Sequence, residues 1–149
     1  MPAPVWWLLC LPFIAGAFLP LQAGINGQLA KQVSSVLAAA LISFAVGTVA
    51  LLALVLSQRE MPGLTALKGL TWWHWSGGLL GAFFITTAAF AGPRIGAMLF
   101  MALVLAGQLA MAMALDHFGW AGFREAPASL GKIAGLVLIL GGVWMIRRY

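Results

Sequence analysis

Gln22 and Asn26 stand four residues apart in an apolar stretch. Four residues is about one helical turn, so both carboxamides fall on one helix face. A carboxamide carries two N–H donors and a carbonyl acceptor, and it does not satisfy them on its own helix. Facing lipid, each would cost roughly a few kcal/mol. Both must therefore point inward. The same argument applies to Gln108, midway along a later apolar stretch. Ser43 adds a smaller polar group, as do Thr48, Thr86 and Thr87, although a threonine hydroxyl can bond back to its own helix. The chemistry open to Gln22, Asn26, Ser43 and Gln108 is non-covalent. They can line a substrate cavity, or they can tie helices together with hydrogen bonds worth about 0.6 kcal/mol each. Both uses stay open at this stage.

Asp116 and His117 are adjacent at the end of the stretch that holds Gln108. A carboxylate beside an imidazole can relay a proton, since histidine is the side chain that titrates nearest neutrality. The competing use is to stop a helix and bond loop backbone. No nucleophile or metal-ligand cluster accompanies the pair, so no catalytic residue, metal or cofactor is expected, and an enzyme is not. Cys10 is the sole cysteine, which excludes an intramolecular disulfide and a cysteine zinc site. No Asp, Glu, Lys or Arg falls near the centre of an apolar stretch. A proton-driven antiporter with a buried carboxylate is thus not indicated. A neutral, amphipathic or anionic ligand fits better than a strongly cationic one, though aromatic faces also hold cations.

The elements that must position these groups are membrane helices. The chain is 63% hydrophobic and 7% charged, against about 25% charged residues in a soluble domain. A spanning helix needs about 20 mostly apolar residues. Five stretches meet that need, at about 5–29, 36–56, 75–91, 95–115 and 130–146, within a single domain 1–149. Ser34 or Ser35 caps the second, Ser129 caps the fifth, and Gly92-Pro93 is expected to stop the third. The short connections 30–35 and 92–94 predict two antiparallel hairpins. The longer connections, 57–74 and 116–129, carry Trp72, Trp73, Trp120 and Phe123, with Trp75 directly after the first, and are expected to rest at the membrane interface, where tryptophan concentrates. Trp6, Trp7, Trp144 and Tyr149 complete the aromatic belts. Ala15-Gly16-Ala17 looks like a signal-cleavage site, but Met-Pro-Ala-Pro supplies no basic region before it, so cleavage is not expected.

Lipid provides no hydrophobic drive between helices, and small residues that let backbones approach take over that role. Gly77-x-x-x-Gly81 and Gly131-x-x-x-Gly135 are the favoured packing faces, with Ala23-x-x-x-Gly27 behind them. Pro12 and Pro20 each remove a backbone hydrogen bond from the first helix and are read as kinks.

The net charge of +5 does not point to nucleic acid, because the basic residues are scattered rather than gathered into a patch. Five spans place Arg59, Lys68, Arg124 and Lys132 at one membrane face, and Lys31, Arg94, Arg147 and Arg148 at the other. Cytoplasmic loops normally carry the excess of Lys and Arg, and that excess sets orientation. Four against four leaves it undecided, so the chain is expected to insert both ways.

Several groups together resemble a known family. They are Gln22-x-x-x-Asn26, Ser43-Phe44-x-x-Gly47, Gly77-Gly78-x-x-Gly81-Ala82-Phe83, Pro93-Arg94-Ile95-Gly96, Gly107-Gln108 and Asp116-His117-Phe118-Gly119. In that order, over nearly the whole chain, they are similar to the YdcZ-like bacterial inner-membrane family of the drug/metabolite transporter superfamily. The resemblance implies an all-α, multi-pass inner-membrane protein. It further implies half of a ten-helix transporter, completed by an antiparallel copy of the same chain or by a related chain. Inverted-repeat transporters bind substrate at the repeat interface, where Asn26 and Gln108 of both copies would meet. The expected function is secondary transport or export of an unidentified small molecule, with membrane lipid as the other partner. A passive channel and a non-transporting membrane subunit are the alternatives.

Overall fold

The structure is a computed structural model that describes residues 6–149, with side chains from residue 10 onward and without that of Leu64. Val5, the expected start of the first span, and the side chains of Trp6 and Trp7 lie outside the described residues.

Five long helices follow one another: α1 (Trp6–Gln32), α2 (Val36–Gln58), α4 (Trp72–Ile95), α5 (Ala97–Phe118) and α6 (Leu130–Arg148). A five-residue helix, α3 (Leu64–Lys68), lies between α2 and α4, and a 3₁₀ turn, Trp120–Gly122, lies between α5 and α6. All five long helices are long and apolar enough to cross a membrane. The shortest, α6, has 19 residues. At 1.5 Å per residue it measures roughly 29 Å, which matches a hydrocarbon core of about 30 Å.

The helix ends are set by local chemistry. Val33, Ser34 and Ser35 join α1 to α2 with no residue to spare. The Ser35 amide donates to the Ala30 carbonyl at 3.1 Å while Ser34 sits in the left-handed region at φ 53°. That is the Schellman ending, with serine where glycine is usual. Ser35 then caps α2, its hydroxyl oxygen accepting from the Ala38 amide at 3.1 Å. Ser129 caps α6 in the same way through the Lys132 amide. At the start of α4, Nδ1 of His74 accepts from the Thr71 amide at 3.1 Å. This is a capping-box relation in which histidine takes the usual place of Glu or Gln. The helix so begins at Trp72, three residues before the expected Trp75, and takes Trp72 and Trp73 out of the preceding connection.

The expected stop at Gly92-Pro93 does not occur. The helix runs through Pro93 to Ile95, and the break comes at Gly96, whose φ is +86°. Proline at that point removes one hydrogen bond in the last turn, but its own φ suits a helix. A left-handed glycine ends it outright. Pro12 and Pro20 likewise lie inside one continuous α1.

The chain forms two compact units, the first ending at Arg94 and the second spanning Ile95–Tyr149. In the first, α1 packs on α2. Apart from Asn26 on α1 and Ile85 on α4, the buried residues are small: Ala23, Gly27 and Ala30 on α1, Ala39 and Ala40 on α2, and Ala88, Ala89 and Gly92 on α4. Gly27 makes the close approach, since a Cβ there would lie 2.5 Å from Pro93 Cγ. Gly81 faces Phe44, whose Cζ would be 3.4 Å from a Cβ on that glycine. The other favoured packing glycines behave differently. Gly77 and Gly135 meet nothing within 4 Å, and Gly131 meets only Ser129 of its own cap. The tightest small-residue contact is therefore on α1, not along the glycine pairs of the third and fifth spans. In the second unit α5 packs on α6, and α6 has no buried residue.

Large apolar side chains face outward, among them Leu41 at 71% exposure, Phe83 at 74% and Leu138 at 76%. Small residues inside and large apolar residues outside is the arrangement expected when lipid, not water, is the solvent.

Candidate functional site

Gln22, Asn26 and Ser43 come together. Gln22 and Asn26 project one turn apart from the same face of α1, and Ser43 reaches them from α2. They line one cavity of about 430 Å³, with Phe18, Leu19 and Ile25 as its main apolar walls. Asn26 is six residues from the end of α1 and Ser43 is seven from the start of α2. At 1.5 Å per residue both lie roughly 10 Å below the α1–α2 turn, with Gln22 one turn deeper. In a helix that spans the bilayer, that depth falls within the hydrocarbon layer.

Asn26 is the polar group on which the site turns. It is 2% exposed, the one buried polar side chain among the described residues. Its Nδ2 has no hydrogen-bond partner among the described residues. An unpaired buried donor costs about 1–3 kcal/mol. Such a group is more than packing requires, because an apolar side chain carries no donor to leave unpaired. Gln22 is exposed at the rim and Ser43 is half-buried. No charged residue lines this cavity.

Gln108 is on α5 in the second unit, and its side chain is exposed rather than turned inward as expected. A second cavity of about 480 Å³ lies between α2 and α4, where Thr86 and Thr87 are set between Phe83 and Phe90.

Asp116 and His117 do not bond each other. The Asp116 backbone carbonyl accepts from the Ala126 amide at 2.7 Å. Nδ1 of His117 accepts from the Ala128 amide at 3.1 Å. An amide N–H can only donate, so this nitrogen carries the lone pair and Nε2 carries the proton. The pair folds the 119–129 connection back onto the end of α5. Lys132 strengthens it, donating from Nζ to the carbonyls of Ala126 at 3.0 Å and Pro127 at 3.4 Å. The Asp116 carboxylate borders a cavity of about 280 Å³ between α5 and α6, together with Lys132.

The basic residues fall at helix ends or in connections. Arg59 is the left-handed cap of α2 at φ 57°. Arg94 donates to the Phe90 carbonyl and lies 3.8 Å over the Phe90 ring. Arg148 lies 5.3 Å from the Trp144 ring.

Sequence reasoning found Gln22, Asn26 and Ser43 by their polarity. It missed the tie between Thr71 and His74 and the contact of Gly27 with Pro93. A Thr-x-x-His spacing before an apolar run was the available signal for the first.

Five membrane-length helices with large apolar side chains exposed define a multi-pass membrane protein, and two of them line a cavity that holds three polar side chains. The chain belongs to the family described as "Putative inner membrane exporter, YdcZ", whose model matches residues 7–145. The inner membrane protein YdcZ of Escherichia coli (strain K12) is 30% identical over 143 residues, covering 94% of this chain and 95% of that relative. No solved structure matches the chain. The protein is accordingly a multi-pass protein of the inner membrane, in a family whose description is that of an exporter and not of an enzyme.

Proposed function

We propose that the chain exports a small molecule through a pathway that includes the Gln22–Asn26–Ser43 cavity. The observation that carries this reading is the buried, unpartnered amide of Asn26 inside a membrane span. Its N–H donors call for an acceptor oxygen on the ligand. The apolar walls and the lack of a charged lining favour a neutral or amphipathic molecule over a cation.

The working unit in this reading is an antiparallel dimer of two oppositely inserted copies. Three observations support it. An odd number of spans puts the termini on opposite sides. The basic residues divide four against four. Gln108 is exposed halfway along α5, and lipid gives its amide no partner, whereas a second chain would.

Flux from proteoliposomes tests the proposal. Saturable, slow transport that fails in Asn26→Leu supports it. Unsaturable conductance would mean a channel, and no flux from a dual-topology preparation over a broad panel of neutral and amphipathic solutes would leave a non-transporting subunit.

A further inference from the structure

A second pocket of about 430 Å³ lies on another face of α1. Gly27 and Lys31 line it from α1, Ser34 and Ser35 from the turn, and Pro93 and Arg94 from α4. It differs in kind from the cavity below it. Two cations border it, and neither has a carboxylate near in sequence. The chain holds three acidic residues, Glu60, Asp116 and Glu125. Within the first unit only Glu60 is present, and it follows the opposite end of α2.

The cations are not alone. The pocket lies against the first turn of α2, a helix of 23 residues. Ser35 takes up the Ala38 amide, but the Val36 and Leu37 amides have no protein acceptor among the described residues. The N-terminal end of a helix carries a partial positive charge and open donors, which suit an anion. Arg94 is held ready by the Phe90 carbonyl and ring, with most of its five N–H donors still unused. Ser34 adds a hydroxyl from a left-handed position that glycine would occupy with less strain. Lys31 and Arg94 both sit at helix ends, so the pocket lies at the level of the lipid headgroups.

We propose that this pocket is a phosphate-binding site. The phosphate, of a lipid headgroup or of a small soluble ester, is held by Lys31, Arg94 and the Ser34 hydroxyl at the α2 N-terminus. Arginine meets two phosphate oxygens with paired N–H groups, and lysine supplies the balancing point charge. The site is separate from the Asn26 cavity and does not depend on what that cavity carries.

The test uses the full chain in a phosphate-free maltoside detergent, with thermal unfolding followed as ligand is added. The probes are inorganic phosphate and dihexanoyl phosphatidic acid. Dihexanoylglycerol and chloride at matched ionic strength are the controls. The expected result is a saturable rise in melting temperature with phosphate-bearing probes and none with the controls. Lys31→Gln and Arg94→Gln should each weaken binding about tenfold, the worth of one charge-assisted hydrogen bond. Lys68→Gln, a cation outside the pocket, should leave it unchanged. Ser34→Ala keeps both charges and should weaken binding by a smaller factor, which protects the test should a charge variant fail to fold. Tighter binding of phosphatidic acid than of inorganic phosphate identifies a lipid ligand, and equal binding a soluble one. No shift with either probe, or equal shifts in the wild type and the pocket variants, overturns the proposal.

Discussion

Pro93 Cγ occupies the space that a side chain on Gly27 would need, 2.5 Å from the position of its Cβ. Real Cβ atoms do not approach other atoms so closely, and a proline ring cannot rotate away. Gly27→Ala should therefore destabilise the protein by about 1–3 kcal/mol, the usual cost of overpacking. The melting temperature in detergent measures it. Pro93→Ala in the same chain should recover most of the loss, because the obstructing ring is gone. Equal losses in the single and double variants would place the strain elsewhere.

Asn26 separates ligand binding from stability. Asn26→Leu removes an unpaired buried amide and keeps the branched outline of the side chain, and the adjoining cavity has room for the larger methyl groups, so the folded protein should gain about 1–3 kcal/mol. Transport should be lost in the same variant. A residue that merely tied helices together would behave the opposite way, with stability falling. Measuring the melting temperature and the saturable flux on one preparation distinguishes the two.

The membrane class, the five spans and the Gln22–Asn26 face were legible because each rests on local pattern. Twenty apolar residues make a span, and residues four apart share a face. Ser43 was legible as a polar residue, but its meeting with Asn26 depends on how the α1–α2 hairpin closes. The end of α4 was misread for a physical reason. Proline at 93 is a weak obstacle in a final turn, while the positive φ at Gly96 is decisive, and a string of letters does not show φ. For the glycine pairs, spacing names a smooth helix face without naming its neighbour, and of the four only Gly81 meets a side chain of another helix, Phe44. On α2 the buried residues are two alanines, Ala39 at 0% exposure and Ala40, and no glycine.

Ser34 sits in the left-handed region at φ 53°, a conformation that costs an L-residue roughly 1–2 kcal/mol. Ser34→Gly should relieve part of that cost and raise the melting temperature by a few degrees. An unchanged or lower melting temperature would mean that the Ser34 side chain itself stabilises the turn.

Asp116 and His117 should respond unequally. The Asp116 side chain does not hold the 119–129 connection; its backbone carbonyl does. Asp116→Asn should leave stability within about 0.5 kcal/mol of the wild type. His117→Ala removes the acceptor of the Ala128 amide and should cost about 1 kcal/mol. Hydrogen exchange should show the amides of residues 126–128 opening faster in the histidine variant alone. A large loss of transport in Asp116→Asn, with stability intact, would instead assign the carboxylate to a proton relay.

Arg147 and Arg148 end α6 on the side that, with five spans, also receives Lys31 and Arg94. Replacing both with glutamine leaves two basic residues against four. Orientation follows the excess of Lys and Arg near the span ends, so insertion should shift toward the Arg59 and Lys68 face in the cytoplasm. C-terminal reporters read on both sides of the membrane measure the shift. For the wild type they should give strong signals on both sides, and for the double variant mainly one. An antiparallel dimer requires both orientations, so transport should fall as the minority orientation is depleted. Adding a second copy with the opposite bias, made by neutralising Arg59 and Lys68, should restore it. Full activity from a chain of single orientation would rule out the inverted dimer.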